Sequence, residues 1–216
     1  MRIFLDTANI EQIRQGAKLG VVSGVTTNPT LVSKEANADY ESVVREICSI
    51  ISGPVSVEVL AEDATTMMAQ ARTMAAWAPN VVIKIPVTAD GLEATSILSQ
   101  EGIPVNMTLC FSVNQAILAA LAGAAFISPF VGRLDDIGDD GMQLVKDIVT
   151  IYKNYEKLKT QVIAASIRHP QHCVVAAKAG ADIATIPHGV LMQMIRHPLT
   201  DIGIARFLAD WQSLSR

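Results

Sequence analysis

The feature that most constrains this chain is its rhythm. Eight short runs rich in β-branched residues recur along it: RIFLDT, GVTTN, VSVEVL, VVIKIP, VNMTLC, AFISPFV, QVIAAS and DIATIP. Between them lie stretches of Ala, Leu, Met, Glu and Lys, such as TTMMAQARTMAAW (65–77) and MQLVKDIVTIYKNYEKL (142–158), which read as helices. Eight runs in 216 residues leave 27 residues per unit, enough for a strand and the crossover helix that a parallel neighbour needs. Eight such units close a single-domain α/β fold, the (β/α)8 TIM barrel, lean beside the usual roughly 250 residues. An open doubly wound sheet would carry a glycine-rich turn after its first strand, and LDTANIEQ has none. The barrel is assigned to residues 1–199. Residues 200–216 are expected to add a C-terminal helix, because Ile204, Phe207, Leu208 and Trp211 recur at helical spacing. A complete barrel needs no ninth helix, so this one either covers the barrel floor or packs on a neighbouring subunit.

Half of the residues are apolar, which suffices for a sizeable core, yet no uninterrupted apolar run approaches the roughly 18–20 residues of a membrane span. The short apolar run ahead of Asp6 does not read as a signal peptide. A net charge of −4 argues against nucleic acid or a membrane surface as partner. Cys48, Cys110 and Cys173 are odd in number and widely spaced, which suits reduced thiols in the cytoplasm rather than a disulfide framework or a zinc site.

Polar residues interrupt the strands in a pattern. Barrel side chains alternate between the interior and the helix layer, so polar residues two apart face the same way. Thr26 and Asn28, Asn106 and Thr108, and Ser166 and Arg168 form such pairs, with Ser128 and Phe130 a mixed one. Asp6, Glu58 and Lys84 join them on the first, third and fourth strands, late in each strand, where barrel enzymes gather catalytic groups. Bland readings compete: Asp6 could cap the following helix, Thr26 and Asn28 could be turn chemistry before Pro29, and Glu58 could pair with Lys84 without chemistry. The aspartates of RLDDIGDDG (133–141) lack a calcium-loop frame and read as a solvated loop capping a helix. His169, His172, His188 and His197 lack metal-ligand spacing, and His169 and His197, each before a proline, read as loop residues.

Lys84 is the hardest to explain as structure. Taking an ammonium ion out of water is costly unless it is paired or gives up its proton, and a buried amine that has lost its proton can attack a carbonyl. The resulting iminium is an electron sink that lets an adjacent carbon–carbon bond break. The reaction also needs a group to accept a hydroxyl proton and a second acid/base, for which Asp6 and Glu58 are candidates. Arg133, Ser166 and Arg168 gather where barrels often bind phosphate. A non-catalytic phosphosugar-binding barrel would need the arginines but not the lysine. A metal-dependent aldolase would need a ligand cluster that the sequence lacks.

FLDTAN, GVTTNPTL, VSVEV, VVIKIPVT, GIPVNMTLCFS, SPFVGRLDDIG, AASIRHP and HPLTDIGIARFLADW together resemble the transaldolases, specifically their small transaldolase-like subfamily, over essentially the whole chain. The resemblance implies a (β/α)8 barrel, no cofactor or metal, and transfer of a dihydroxyacetone unit between ketose phosphates (sedoheptulose 7-phosphate, fructose 6-phosphate) and aldose phosphates in the pentose phosphate pathway. It implies that Lys84 forms the Schiff base and that Asp6 takes the C4 hydroxyl proton. Glu58 and Thr108 would position a water. Thr26, Asn28, Asn106 and Ser128 would surround the three-carbon unit, and Arg133, Ser166 and Arg168 would bind phosphate. The related fructose-6-phosphate aldolases carry glutamine at the place of Glu58 and tyrosine at that of Phe130; this chain has the transaldolase pair. The resemblance further implies a decamer in which the terminal helix packs on a neighbouring subunit.

Overall fold

All eight β-branched runs form strands, and each pairs in parallel with the next until the last closes on the first. In the computed structural model, which describes residues 1–34 and 39–214, these are β1 (Arg2–Asp6), β2 (Val22–Thr26), β3 (Val55–Glu58), β4 (Val81–Pro86), β5 (Val105–Cys110), β6 (Phe126–Pro129), β7 (Gln161–Ala164) and β8 (Ile183–Ile186). Around them run α1 (Ile10–Lys18), α2 (Pro29–Val32), α3 (Tyr40–Ile50), α4 (Ala64–Ala75), α5 (Ala89–Gln100), α6 (Val113–Leu121), α7 (Val131–Asp135), α8 (Gly141–Lys153), α9 (Pro170–Ala179), α10 (His188–Ile195) and α11 (Pro198–Leu214). The expected closed barrel is therefore the fold observed.

Strand alternation divides the core in two. Leu5, Val25, Val57, Ile83, Ile85, Met107 and Ile127 point outward and pack under the helices. Phe4, Val82, Phe126, Ile163 and Ile183 point inward and form a separate apolar layer across the barrel. Removing each of these side chains from water contributes about 1.5–3 kcal/mol. Two residues further along the same strands stand Asp6, Lys84, Ser128 and Thr185. One pleat repeat thus carries the interior from an apolar floor to a polar layer. Gly24 on β2 makes room for the floor, since a Cβ there would lie 2.5 Å from the Phe4 ring.

Helix starts follow from local chemistry. Asn9 caps α1 by accepting the Gln12 N–H, so Asp6 does not serve as that cap. Asp39, Asp63, Ser112 and Asp140 cap α3, α4, α6 and α8 in the same way. The run 142–158 is helical only to Lys153. Asn154, Tyr155 and Leu158 donate to carbonyls three residues back, which tightens the chain out of the α-helix. Within RLDDIGDDG, Arg133–Asp135 completes α7 and Asp140 caps α8, so the expected loop is shorter than the motif.

The terminal helix forms as expected, and the single chain bears on one of its two possible placements. No side chain of α11 is buried, and Phe207 and Trp211 are 73% and 70% exposed, so in the single chain it does not cover the barrel floor. Residues 215 and 216 of the expected terminal helix lie outside the described residues. Among the described residues no helix is long and apolar enough to cross a membrane.

Candidate active site

At the C-terminal mouth of the barrel lies a cavity of about 510 Å3. Asp6, Thr26, Glu58, Lys84 and Ser128 line it from their strands, Asn28 and Phe130 from just beyond β2 and β6, and Arg133, Ser166 and Arg168 from the segments after β6 and β7. Lys84, only 5% exposed, donates to Glu58 Oε2 at 2.8 Å and to the Thr27 carbonyl at 3.3 Å. The two residues are paired in register on β4 and β3, which brings the charges together. The backbone of Glu58 is fixed in turn, because its N–H donates to Tyr40 Oη at 3.0 Å. Asp6 and Thr26 are likewise in register on β1 and β2, and Thr26 Oγ1 donates to Asp6 Oδ1 at 2.8 Å. Burial pushes the Asp6 carboxyl above the ordinary aspartate range; the Thr26 hydrogen bond and Lys84 oppose that rise, and Glu58 adds to it.

Asn106 and Thr108 do not line the cavity. Asn106 stands second in β5, earlier than expected, and lies fully buried in the layer beneath. It accepts the Ser128 hydroxyl at 2.8 Å and donates to Ser56 Oγ at 3.1 Å, so it holds Ser128 from below. Thr108 is also fully buried, and its Oγ1 has no hydrogen-bond partner among the described residues. The residue after it, Leu109, reaches the cavity because β5 bulges. The register shifts between Met107 and Cys110, and Leu109 adopts φ 55°. Asn28 serves two ends: its Oδ1 caps α2 by accepting the Leu31 N–H, which leaves its amide N–H groups as what it can offer a ligand.

The arginine rim depends on a close backbone approach. Gly132 donates its N–H to the Ser166 carbonyl at 3.0 Å, and a Cβ there would come within 2.3 Å of that oxygen and 2.5 Å of Arg168 Nε. Only glycine lets α7, which carries Arg133, press against the segment holding Ser166 and Arg168. Ser166 itself adopts φ 57°. Arg133 stacks over the Phe130 ring at 4.9 Å, and Arg168 reaches Asp136 at 2.6 Å. His172 Nδ1 accepts the Arg168 N–H at 3.3 Å while its Nε2 faces Asp135 at 3.2 Å, an arrangement that suits the neutral ring protonated at Nε2. Burial, followed by His169, holds the His172 pKa below its ordinary value.

The family model described as Transaldolase/Fructose-6-phosphate aldolase matches residues 3–216. The chain belongs to this family. It is 68% identical over 217 residues to a probable transaldolase of Dehalococcoides mccartyi, an alignment covering 100% of both chains. It is 57% identical over 216 residues to a probable transaldolase of Caldicellulosiruptor saccharolyticus, covering 100% of this chain and 99% of that one. Among solved structures, a thiamine phosphate pyrophosphorylase from Pyrococcus furiosus superposes with a TM-score of 0.56 over 86% of this chain and 85% of its own, at 15% identity, which speaks for the barrel fold alone. Beside the residues that the transaldolase resemblance implied, the cavity wall includes Thr185 on β8 and Leu109. The alternation rule could have found Thr185, a polar residue inside the apolar run IATI; nothing in the sequence marks the bulge that turns Leu109 inward.

Proposed function

We propose that this chain is a class I transaldolase that moves a dihydroxyacetone unit from a ketose phosphate to an aldose phosphate through a Schiff base on Lys84. The observation that carries the reading is the buried Lys84–Glu58 pair at 2.8 Å inside a cavity that also holds Asp6. Lys84 passes a proton to Glu58, and its free amine attacks the ketose C2 to give a carbinolamine. Glu58 then returns the proton to the departing hydroxyl as water, leaving the iminium. Asp6 takes the C4 hydroxyl proton while the C3–C4 bond breaks. The electron pair moves into the iminium to form an enamine, and the aldose phosphate departs. The enamine carbon then attacks the acceptor aldehyde, Asp6 gives the proton to the new alkoxide, and hydrolysis of the iminium frees Lys84. Thr108, through its otherwise unpartnered hydroxyl beside this layer, helps Glu58 hold the water of the two iminium steps. Arg133, Ser166 and Arg168 take the phosphate at the rim, with Arg168 exchanging Asp136 for it.

Glu58 and Phe130 favour transfer over the hydrolytic release of dihydroxyacetone that marks a fructose-6-phosphate aldolase. Phe130 faces the cavity with no hydroxyl to deliver water to the enamine; its ring meets Phe111 and Arg133 instead. The test is borohydride reduction with fructose 6-phosphate followed by peptide mapping, together with transfer to erythrose 4-phosphate. Label on Lys84 alone, lost in Lys84→Ala, is expected; label elsewhere refutes the mechanism. The exposed stripe Ile204, Phe207, Leu208 and Trp211 supports docking of α11 on a neighbouring subunit of a cytoplasmic homo-oligomer, with the barrel of 1–199 as the folded unit. Sedimentation of the full chain as a 23.1 kDa monomer would refute that assembly.

A further inference from the structure

Thr26 is 2% exposed and Thr185 3%, and their hydroxyl oxygens lie 2.6 Å apart across the barrel interior. A threonine hydroxyl has one proton to give. Thr26 directs its proton to Asp6 Oδ1 at 2.8 Å, so beside an ionised Asp6 the proton in the second bond belongs to Thr185. The result is a directed chain, Thr185 to Thr26 to Asp6, joining β8, β2 and β1. We propose that Thr185 is a positioning residue for the Asp6 carboxylate, acting through Thr26 as the outer member of a two-hydroxyl relay. This rests on Asp6 being the acid/base of the reaction proposed above.

A hydroxyl that accepts one hydrogen bond donates its own more strongly, and the gain is greatest where the chain ends on a charge. Thr185 therefore favours the ionised over the protonated form of Asp6. It also keeps Thr26 from rotating away from the oxygen that is to receive the substrate proton. The charged groups facing Asp6 are Lys84 from β4, which favours its ionised form, and Glu58 from β3, which disfavours it. From β2 and β8 only the two hydroxyls reach the site, while Arg133 and Arg168 line the cavity farther along the chain segments after β6 and β7. Without Thr185 both carboxylates remain and the one hydroxyl donated to Asp6 weakens, so the carboxyl holds its proton to higher pH.

The test uses the full-length chain with aspartate labelled by carbon-13 at the side-chain carboxyl. Infrared difference spectra follow the titration, and Asp6→Asn identifies the band. Thr185→Val, close in shape and without the hydroxyl, is expected to raise the Asp6 midpoint by about 0.5 pH unit or more. Thr185→Ala is expected to do the same and stands in should the valine misfold, while Thr185→Ser returns the midpoint to the wild-type value. In the transfer assay the acid limb of kcat moves with the midpoint in the hydroxyl-free variants and returns to the wild-type position in Thr185→Ser. An unmoved or lowered midpoint in the hydroxyl-free variants overturns the relay. A wild-type protein that neither transfers nor traps substrate overturns the reaction instead, a result separable from the first because the infrared midpoint is read without turnover.

Discussion

Replacing Glu58 by leucine keeps most of its volume and leaves the Lys84 ammonium buried without its partner. The pair is 2.8 Å long, with the lysine side chain 7% and the glutamate side chain 15% exposed. Removing one member of a buried pair costs about 3–5 kcal/mol. Lys84 keeps the Thr27 carbonyl at 3.3 Å and the attraction of Asp6, and Glu58 opens on the cavity, so the lower end, about 3 kcal/mol, is expected. In a domain of this size that lowers Tm by about 6–12 °C. The double variant Lys84→Met/Glu58→Leu removes both charges and should recover to within about 1 kcal/mol of wild type, since replacing a buried pair by apolar groups is often neutral or stabilising. Thermal and urea unfolding of wild type, both single variants and the double close the cycle at neutral pH. Losses that simply add in the double variant would show that the contact carries no coupling, and the account of a paired buried lysine would fail.

Three further outcomes are expected. Asp6→Asn should abolish cleavage yet raise Tm at neutral pH. The folded Asp6 pKa lies above its unfolded value, so ionising Asp6 costs the folded state stability at high pH and costs nothing below the unfolded carboxyl range near about 4. The advantage of the variant should therefore vanish as pH falls through that range, and an advantage that persists there would contradict the burial argument. Gly132→Ala must push apart α7 and the Ser166–Arg168 segment. KM for phosphorylated ketoses should rise about tenfold or more while unphosphorylated ketoses change little, and equal losses for both would point to general misfolding. Phe130→Tyr places a phenol beside the bound three-carbon unit and should raise dihydroxyacetone release from fructose 6-phosphate relative to transfer, measured with and without acceptor; an unchanged ratio would remove Phe130 from partner choice.

The barrel was legible because its strands are made of β-branched residues at intervals that leave only a crossover between them, and all eight runs form strands. The polar positions were legible for a related reason: an interior that is apolar at Phe4 and Val82 does not turn to aspartate and lysine two residues later without use. Depth was not legible. Asn106 and Thr108 share the parity of the lining residues, but both are fully buried and neither lines the cavity, while the bulge of β5 brings in Leu109, a local φ that no side-chain pattern records. The helix expected over 142–158 failed at Asn154, where turn bonding outcompetes the helix preference of the Glu and Lys that follow. Asp136 and the closeness of Gly132 to Arg168 are tertiary facts, set by how two successive barrel segments meet.

The apolar layer of Phe4, Val82, Phe126, Ile163 and Ile183 has a kinetic consequence. Among the described residues it closes the interior beneath Asp6 and Lys84, so a sugar phosphate reaches the cavity from the C-terminal mouth, where Arg133 and Arg168 stand. In the proposed transfer, the aldose phosphate cut from the donor and the aldose phosphate that accepts the fragment need the same passage and the same anion grip. They cannot occupy it together. The first product must leave before the second substrate enters, so initial-rate plots should show the parallel lines of a ping-pong scheme, with each aldose phosphate competing against the other for the loaded enzyme.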